Sequence, residues 1–309
     1  MSAQNPNRLP TVRQLQYFTA LAELGHFGRA ADQCFVSQSA FSTAIQDLES
    51  LLEVQLVDRT NRRVAITATG REIAVQARLC LQDIGTLVET ARSAGKPLHG
   101  TLRLGIIPTI APFLLPRVVP AIREEFPELR LLLTEDITTA LRTQLTDGLL
   151  DAAILALPFD LPGLDHQRLF RDRFMLAARE KSELIDPKNF RINRLNESSI
   201  LLLRDGHCMR EHALEACRIR DSRALTNFSA SSLLTLIEMV DADLGLTFLP
   251  EMAIDSALLE HTQIKLYPLK ENQYRDVGIA WRRGSARTSE FETLGRFIAE
   301  HRRTMNKQT

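Results

Sequence analysis

From Thr101 onward the chain alternates between apolar runs of strand length and longer helical stretches. That alternation restricts the fold more than any other feature. The run "TLRLGII" (101–107) sets Leu102, Leu104 and Ile106 on one face. "FLLPRVVPAIREEFP" then reads as a helix, "LRLLLTE" as a strand, "TTALRTQLTDGLL" as a helix and "DAAILALP" as a strand. "RFMLAAR", "SSILLLR", "LGLTFLP" and "VGIAWRR" are further apolar runs with helical segments between some of them. Parallel neighbours in a sheet need a crossover, usually helical, so repeated strand–helix–strand order implies parallel α/β sheets. About 210 residues are enough for two lobes of this kind. The late strand near 277–282 is expected to return to the first lobe after the second is complete.

The first ~70 residues have a different period, that of short helices. Leu15, Phe18, Leu21 and Ala22 form an apolar stripe that Gly25 ends, and "GRAADQC" follows as a second, small-residue helix. "FVSQSAFSTAIQDLESLL" reads as a turn and a third helix, with Ser37 as N-cap and Ala40, Ile45, Leu48, Leu51 and Leu52 as its buried side. "VQLVDRTNRRVAIT" is then an apolar patch, a polar turn and an alternating stretch, as in a two-stranded wing. Two helices joined by a tight turn can set the second in a DNA major groove. Here that helix presents Gln38, Ser39, Ser42, Thr43 and Gln46, side chains able to read base edges. Arg59, Arg62 and Arg63 on the wing can hold phosphates. The alternative is a plain three-helix packing unit. Charge counts against the DNA reading, because residues 1–70 carry arginines and acids in equal number and no lysine. A DNA-binding module of this composition must gather its few cations on one face and act as a dimer.

Between these regions lies one long helical pattern, from Thr69 to about Lys96. Ile73, Ala77, Cys80, Ile84, Leu87 and Ala91 recur at steps of four and three, the spacing of a coiled-coil seam. So narrow a seam needs a partner helix, either this protein's own body or a second subunit. "AGKPLHG" (94–100) breaks the pattern as a hinge. The 309 residues therefore divide into a binding module at 1–68, a linker helix at 69–96, a first effector lobe from 99–172 and 276–309, and a second lobe at 173–275. The formal net charge is zero, no apolar run is long enough to span a bilayer, and the N-terminus has no signal-peptide core. A cytoplasmic protein without membrane contact is expected.

The segment "LQYFTALAELGHFGRAADQCFVSQSAFSTAIQDLESLLEVQLVDRT" resembles the winged helix-turn-helix of LysR-type transcriptional regulators. The pattern F-x-x-AA-x-x-x-x-x-SQ-x-x-x-S-x-x-I-x-x-LE is matched almost throughout, with Ser39 where the family usually has proline. The resemblance extends over the whole chain. It implies an N-terminal winged helix-turn-helix, a long linker helix and a periplasmic-binding-protein-like effector domain. It also implies a double-stranded DNA operator contacted by Ser37, Gln38, Ser39, Ser42, Thr43, Arg59 and Arg62. The implied assembly is a homodimer through the linker helix, and beyond it a homotetramer that activates transcription with RNA polymerase.

One segment resists a purely structural reading. "DGHCMREHALEAC" (205–217) holds two of the four cysteines, with His207 and His212 close to the first. Cys208 follows a turn signal and precedes a helical pattern, next to His207 and two residues before Arg210; positive charge and a helix start both favour thiolate. Cys217 lies nine residues on, a rise of about 13.5 Å in an unbroken helix. A disulfide would require that helix to unwind. On residues alone the alternatives stay open: a metal pair from Cys208 and His212 on one helical face, two buried thiols acting as small hydrophobes, or a stand-alone thiol peroxidase.

"GIIPTIAPFLLP", "DAAILALP" and "RDGHC" resemble the hydrogen-peroxide-sensing branch of the LysR family. That resemblance implies hydrogen peroxide as the signal, Cys208 as the thiol that reacts and Cys217 as the thiol that resolves it into a disulfide. It places Thr109, Thr138, His207 and Arg282 around the peroxide, and implies neither metal nor cofactor. A family member answering a small molecule between the lobes, without redox chemistry, is the alternative. Cys34 and Cys80 are expected to be buried packing residues.

Overall fold

The computed structural model describes residues 9–60, 63–93, 98–157, 161–184, 199–204, 209–211, 214, 229–254, 256–269 and 273–305. The chain separates into two compact units, Met1–Gly95 and Lys96–Thr309.

In the first unit α1 (Val12–Leu24) starts on a capping box: the Thr11 hydroxyl accepts from the Gln14 amide and the Gln14 side chain accepts from the Thr11 amide. It ends on Gly25 at φ 59°, a left-handed turn that costs glycine nothing. Helices α2 (Phe27–Gln33) and α3 (Gln38–Leu52) follow, with the Ser37 hydroxyl capping α3 as expected. Their core is Phe18, Leu21, Ala30, Ala31, Phe41, Ile45 and Leu48, with Tyr17 stacked on Phe41 at 5.0 Å between ring centroids. One expectation is corrected here. Ala40 is exposed, and its neighbour Phe41 fills the core; the ring supplies apolar area that a methyl cannot. Strands β1 (Val57–Thr60) and β2 (Arg63–Ile66) pair antiparallel as the wing. The wing is tied back to α3 by Glu49, whose carboxylate accepts from the Leu56 and Val57 amides at 2.8 and 3.0 Å.

Helix α4 (Ala68–Ser93) is the linker. Ala74 and Ala77 are buried against the rest of this unit, but further along the apolar side faces solvent: Ile84 and Val88 are each 37% exposed and Leu87 is 70% exposed. Cys80 is exposed as well, a correction to its expected burial. It lies on a seam that a single chain leaves uncovered. Cys34, at the end of α2, is half-buried, and burial pushes its thiol up from the ordinary range.

The second unit is built on one mixed sheet. Strands β3 (Gly100–Ile106), β4 (Leu129–Glu135) and β5 (Ala152–Leu157) run parallel, with β3 in the middle. Between β3 and β4 runs α5 (Ala111–Glu125), and between β4 and β5 runs α6 (Thr138–Thr146). The 16-residue β6 (Leu164–Arg179) is the backbone of the fold. Its first half pairs with β11 (Tyr274–Arg282), and its second half with β9 (Thr247–Pro250) and β10 (Ile264–Pro268). The chain thus leaves the parallel strands along β6 and comes back along β11, which inserts antiparallel between β5 and β6. "SSILLLR" forms less strand than its apolarity suggests: Leu202–Leu203 pair with β8 (Ser229–Ala230) as the short strand β7, and Ile200 bridges Leu246. A helix at Leu233–Asp241 packs on this side, and the C-terminal helix Thr288–Met305 packs on β6 and β11.

Candidate functional site

Parallel strands end together, so the loops at their carboxyl ends form one edge, the usual place for a ligand in an open α/β sheet. Ile106 at the end of β3 is level with Glu135 at the end of β4. Thr109 and Thr138 each lie three residues beyond those ends, on that edge. Thr138 is the first residue of α6, and Thr109 stands two residues before α5. Both are buried, at 1% and 2% exposure, although both carry hydroxyls.

The two hydroxyls are held differently. Thr109 Oγ1 accepts a hydrogen bond from Arg275 Nη1 at 2.9 Å, and its carbonyl accepts from Arg275 Nη2 at 2.8 Å. With an acceptor lone pair so used, the Thr109 proton remains available to donate. Thr138 Oγ1 is buried and makes no hydrogen bond within the described structure. An unsatisfied buried hydroxyl is costly, and such groups call for an explanation in a ligand or a function.

Arg275 is the residue that sequence reasoning missed. Its side chain and that of Asp172 are both fully buried, and they pair at 3.0 Å across the β6–β11 ladder. The second Asp172 oxygen accepts from the Met252 amide at 3.2 Å and lies 3.7 Å from Arg302. Burial lowers the Arg302 guanidinium from its ordinary value, while the Asp172 and Glu251 carboxylates oppose that shift. Asp172 therefore ties the two strands that connect the lobes, and Arg275 extends the tie to Thr109.

Arg282, expected near the site, does not reach this edge. The ladder sets Ile279 level with Ile154 and Ile106, and Trp281 level with Ala152 and Leu104. Moving toward Arg282 therefore moves away from the carboxyl ends of β3 and β5. Seven residues at ~3.3 Å separate Arg275 from Arg282 by about 23 Å. Arg282 is half-buried and pairs with Leu164 at the opposite end of the sheet. Arg275, on the same strand, is the arginine that contacts Thr109. No local signal marks Arg275, which stands between Tyr274 and Asp276 at the polar start of its strand, ahead of the apolar run 277–281.

His207, Cys208, His212 and Cys217 lie outside the described residues. Their neighbour Met209 is within the core at 3% exposure, and Arg210 donates to the Leu203 carbonyl at 3.4 Å. Among the described residues there is no group of three or more His, Cys, Asp or Glu able to hold a metal, and no helix long and apolar enough to cross a membrane.

On the first unit, Ser37, Gln38, Ser39, Thr43 and Gln46 are exposed along α3 and Ser42 is half-buried. Arg59 is on β1, with its side chain undescribed, and Arg62 lies outside the described residues. Residues 12–71 match the model of the bacterial regulatory helix-turn-helix protein, lysR family, and residues 95–303 match the LysR substrate binding domain.

The chain belongs to the LysR family. It is 37% identical over 287 residues to the HTH-type transcriptional regulator EstR of Acinetobacter baylyi, covering 93% of this chain and 95% of that one. It is 36% identical over 292 residues to the hydrogen peroxide-inducible genes activator of Haemophilus influenzae, covering 94% of this chain and 96% of that one. Among solved structures, full-length OxyR from Pseudomonas aeruginosa with a cysteine-to-aspartate change superposes with a TM-score of 0.79 at 33% identity, over 94% of this chain and 95% of that one. The winged helix-turn-helix and the two-lobed α/β effector domain are thus those of a LysR-type DNA-binding regulator similar to OxyR.

Proposed function

We propose that this protein is a hydrogen-peroxide-responsive transcriptional regulator. Cys208, as thiolate, attacks one peroxide oxygen; the O–O bond breaks, hydroxide leaves and takes up a proton, and a sulfenic acid remains. The Cys217 thiol then condenses with it, releasing water and forming the disulfide. The observation that carries this reading is the pair Thr109 and Thr138. Both are buried hydroxyls at one sheet edge, one with its proton free to donate and the other without a hydrogen-bond partner among the described residues. Donors of that kind stabilise a departing hydroxide. His207 would join them from the segment that holds Cys208. Arg275 positions Thr109, and Arg282 has no part in the site.

In this reading residues 1–68 bind operator DNA and 69–96 pair subunits. The lobes 99–172 with 276–309 and 173–275 house the sensor. The protein works without metal or cofactor, in the cytoplasm, as a homodimer and then a homotetramer that recruits RNA polymerase. It is a stoichiometric sensor and not a turnover enzyme. The similarity to EstR, an HTH-type transcriptional regulator, leaves a second reading: a small-molecule effector between the lobes, without redox chemistry. DNase footprints on duplexes selected from a random pool separate them. A footprint that changes on peroxide treatment of the wild type but not of Cys208→Ser supports the sensor. An identical footprint in both redox states supports the effector reading.

A further inference from the structure

The turn between α2 and α3 carries a second feature that the peroxide chemistry does not use. Phe35 is 94% exposed, more than any other large apolar side chain described. Its backbone lies at φ 57°, the left-handed region, which strains any residue with a Cβ and a bulky aromatic most of all. The turn is closed around it by Phe35 N–H donating to the Asp32 carbonyl and Val36 N–H to the Ala31 carbonyl, both at 3.1 Å. A residue that gains nothing from the core and costs backbone strain contributes nothing visible to folding. Asparagine or glycine would occupy this conformation more cheaply.

Its location supplies the missing role. Phe35 stands two residues before Ser37, the N-cap of α3, and so within about 7 Å of it along the chain. In helix-turn-helix docking the N-terminal residues of the second helix meet the base edges. The exposed side chains there are Gln38 and Ser39, and α3 carries no lysine or arginine. An aromatic at that border can cover a thymine methyl with more apolar area than the small exposed side chains of Ala40 and Thr43 on the helix itself.

We propose that Phe35 is a DNA-contact residue that recognises a thymine 5-methyl group in the major groove. This rests on the DNA-binding reading of the module. The surrender of fold stability is compensated by base preference.

The test uses the full chain and duplexes selected from a random pool by the wild-type protein, with each thymine replaced in turn by deoxyuridine. Wild type should bind about fourfold more weakly when one particular methyl is removed from a single half-site, the worth of one buried methyl. Phe35→Ala and Phe35→Asn, which lose the contact in both half-sites, should bind the thymine duplex about 15-fold more weakly and be indifferent to that methyl. Phe35→Asn should at the same time melt at a higher temperature than wild type. A wild type that binds but shows no methyl dependence, or variants that keep it, would overturn the proposal and leave DNA binding standing. Weakened binding together with loss of the dimer would overturn it in favour of a protein contact. No selection of any duplex by the wild type would overturn the DNA-binding reading itself.

Discussion

Arg275 and Asp172 face each other across β11 and β6, fully buried and 3.0 Å apart, on the two strands that connect the lobes. Removing one partner leaves the other charge buried and unpaired, at a cost of about 3–5 kcal/mol. Arg275→Ala and Asp172→Ala should each lower the melting temperature sharply, and Arg275→Met with Asp172→Leu should recover much of the loss. Arg275→Lys is the more informative change. It keeps the charge but loses the planar fork that reaches both Asp172 and Thr109. The oxidation of Cys208 should slow in it by more than the change in folding explains. A variant as unstable as Arg275→Ala but oxidised at the wild-type rate would remove Arg275 from the site.

Thr138→Val should do the reverse. Valine has nearly the shape of threonine and lacks the unsatisfied hydroxyl, whose burial costs about 1–3 kcal/mol. The variant should be as stable as wild type or more so in thermal melts, yet react with peroxide more slowly. Lowered stability would mean that the hydroxyl has a structural partner.

Those two residues also mark how far the sequence could be read. Strand–helix alternation, the Ser37 cap and the seam of α4 are local periodicities, so they appear in any short window. The Arg275–Asp172 pair joins residues 103 apart and follows no period. The first half of β6 is hard to see in the sequence for a related reason. "LDHQRLF" is polar from Asp165 to Arg168 and buries only Leu164 and Leu169, so it lacks the apolar alternation that marks a strand. Thr109 and Thr138 were found only through likeness to a family, since a threonine beyond a strand end is common in any α/β protein. Arg282 shows the limit of that route: likeness points to it, whereas the arginine that contacts Thr109 is Arg275, seven residues earlier on the same strand.

The exposed side of α4 predicts an assembly. Ile84→Asp should leave the monomer fold intact, since Ile84 already meets solvent in the single chain. It should abolish dimerisation by placing a charge in the seam between subunits. Sedimentation at low micromolar concentration should then give a monomer with little affinity for DNA. A dimer persisting there would assign Ile84, Leu87 and Val88 to another contact.

The wing should supply the phosphate contacts that α3 lacks. Neutralising Arg59 should weaken binding to every duplex alike and reduce the dependence of affinity on salt by about one unit of slope. Changes at Gln38 or Ser42 should instead shift base preference. A salt slope unaffected by losing Arg59 and Arg62 together would place the phosphate contacts elsewhere.

The central claim is that Cys208 is the thiol peroxide finds first. Mass-spectrometric thiol mapping, after adding one equivalent of peroxide to the reduced full-length protein, tests it directly. The expected product is a Cys208–Cys217 disulfide in each subunit. Cys34, whose thiol burial pushes up and so away from thiolate, and Cys80 should remain free. Cys208→Ser should leave all three remaining cysteines reduced under the same conditions. A reduced Cys208 in wild-type protein whose Cys34 or Cys80 is already oxidised would contradict the account.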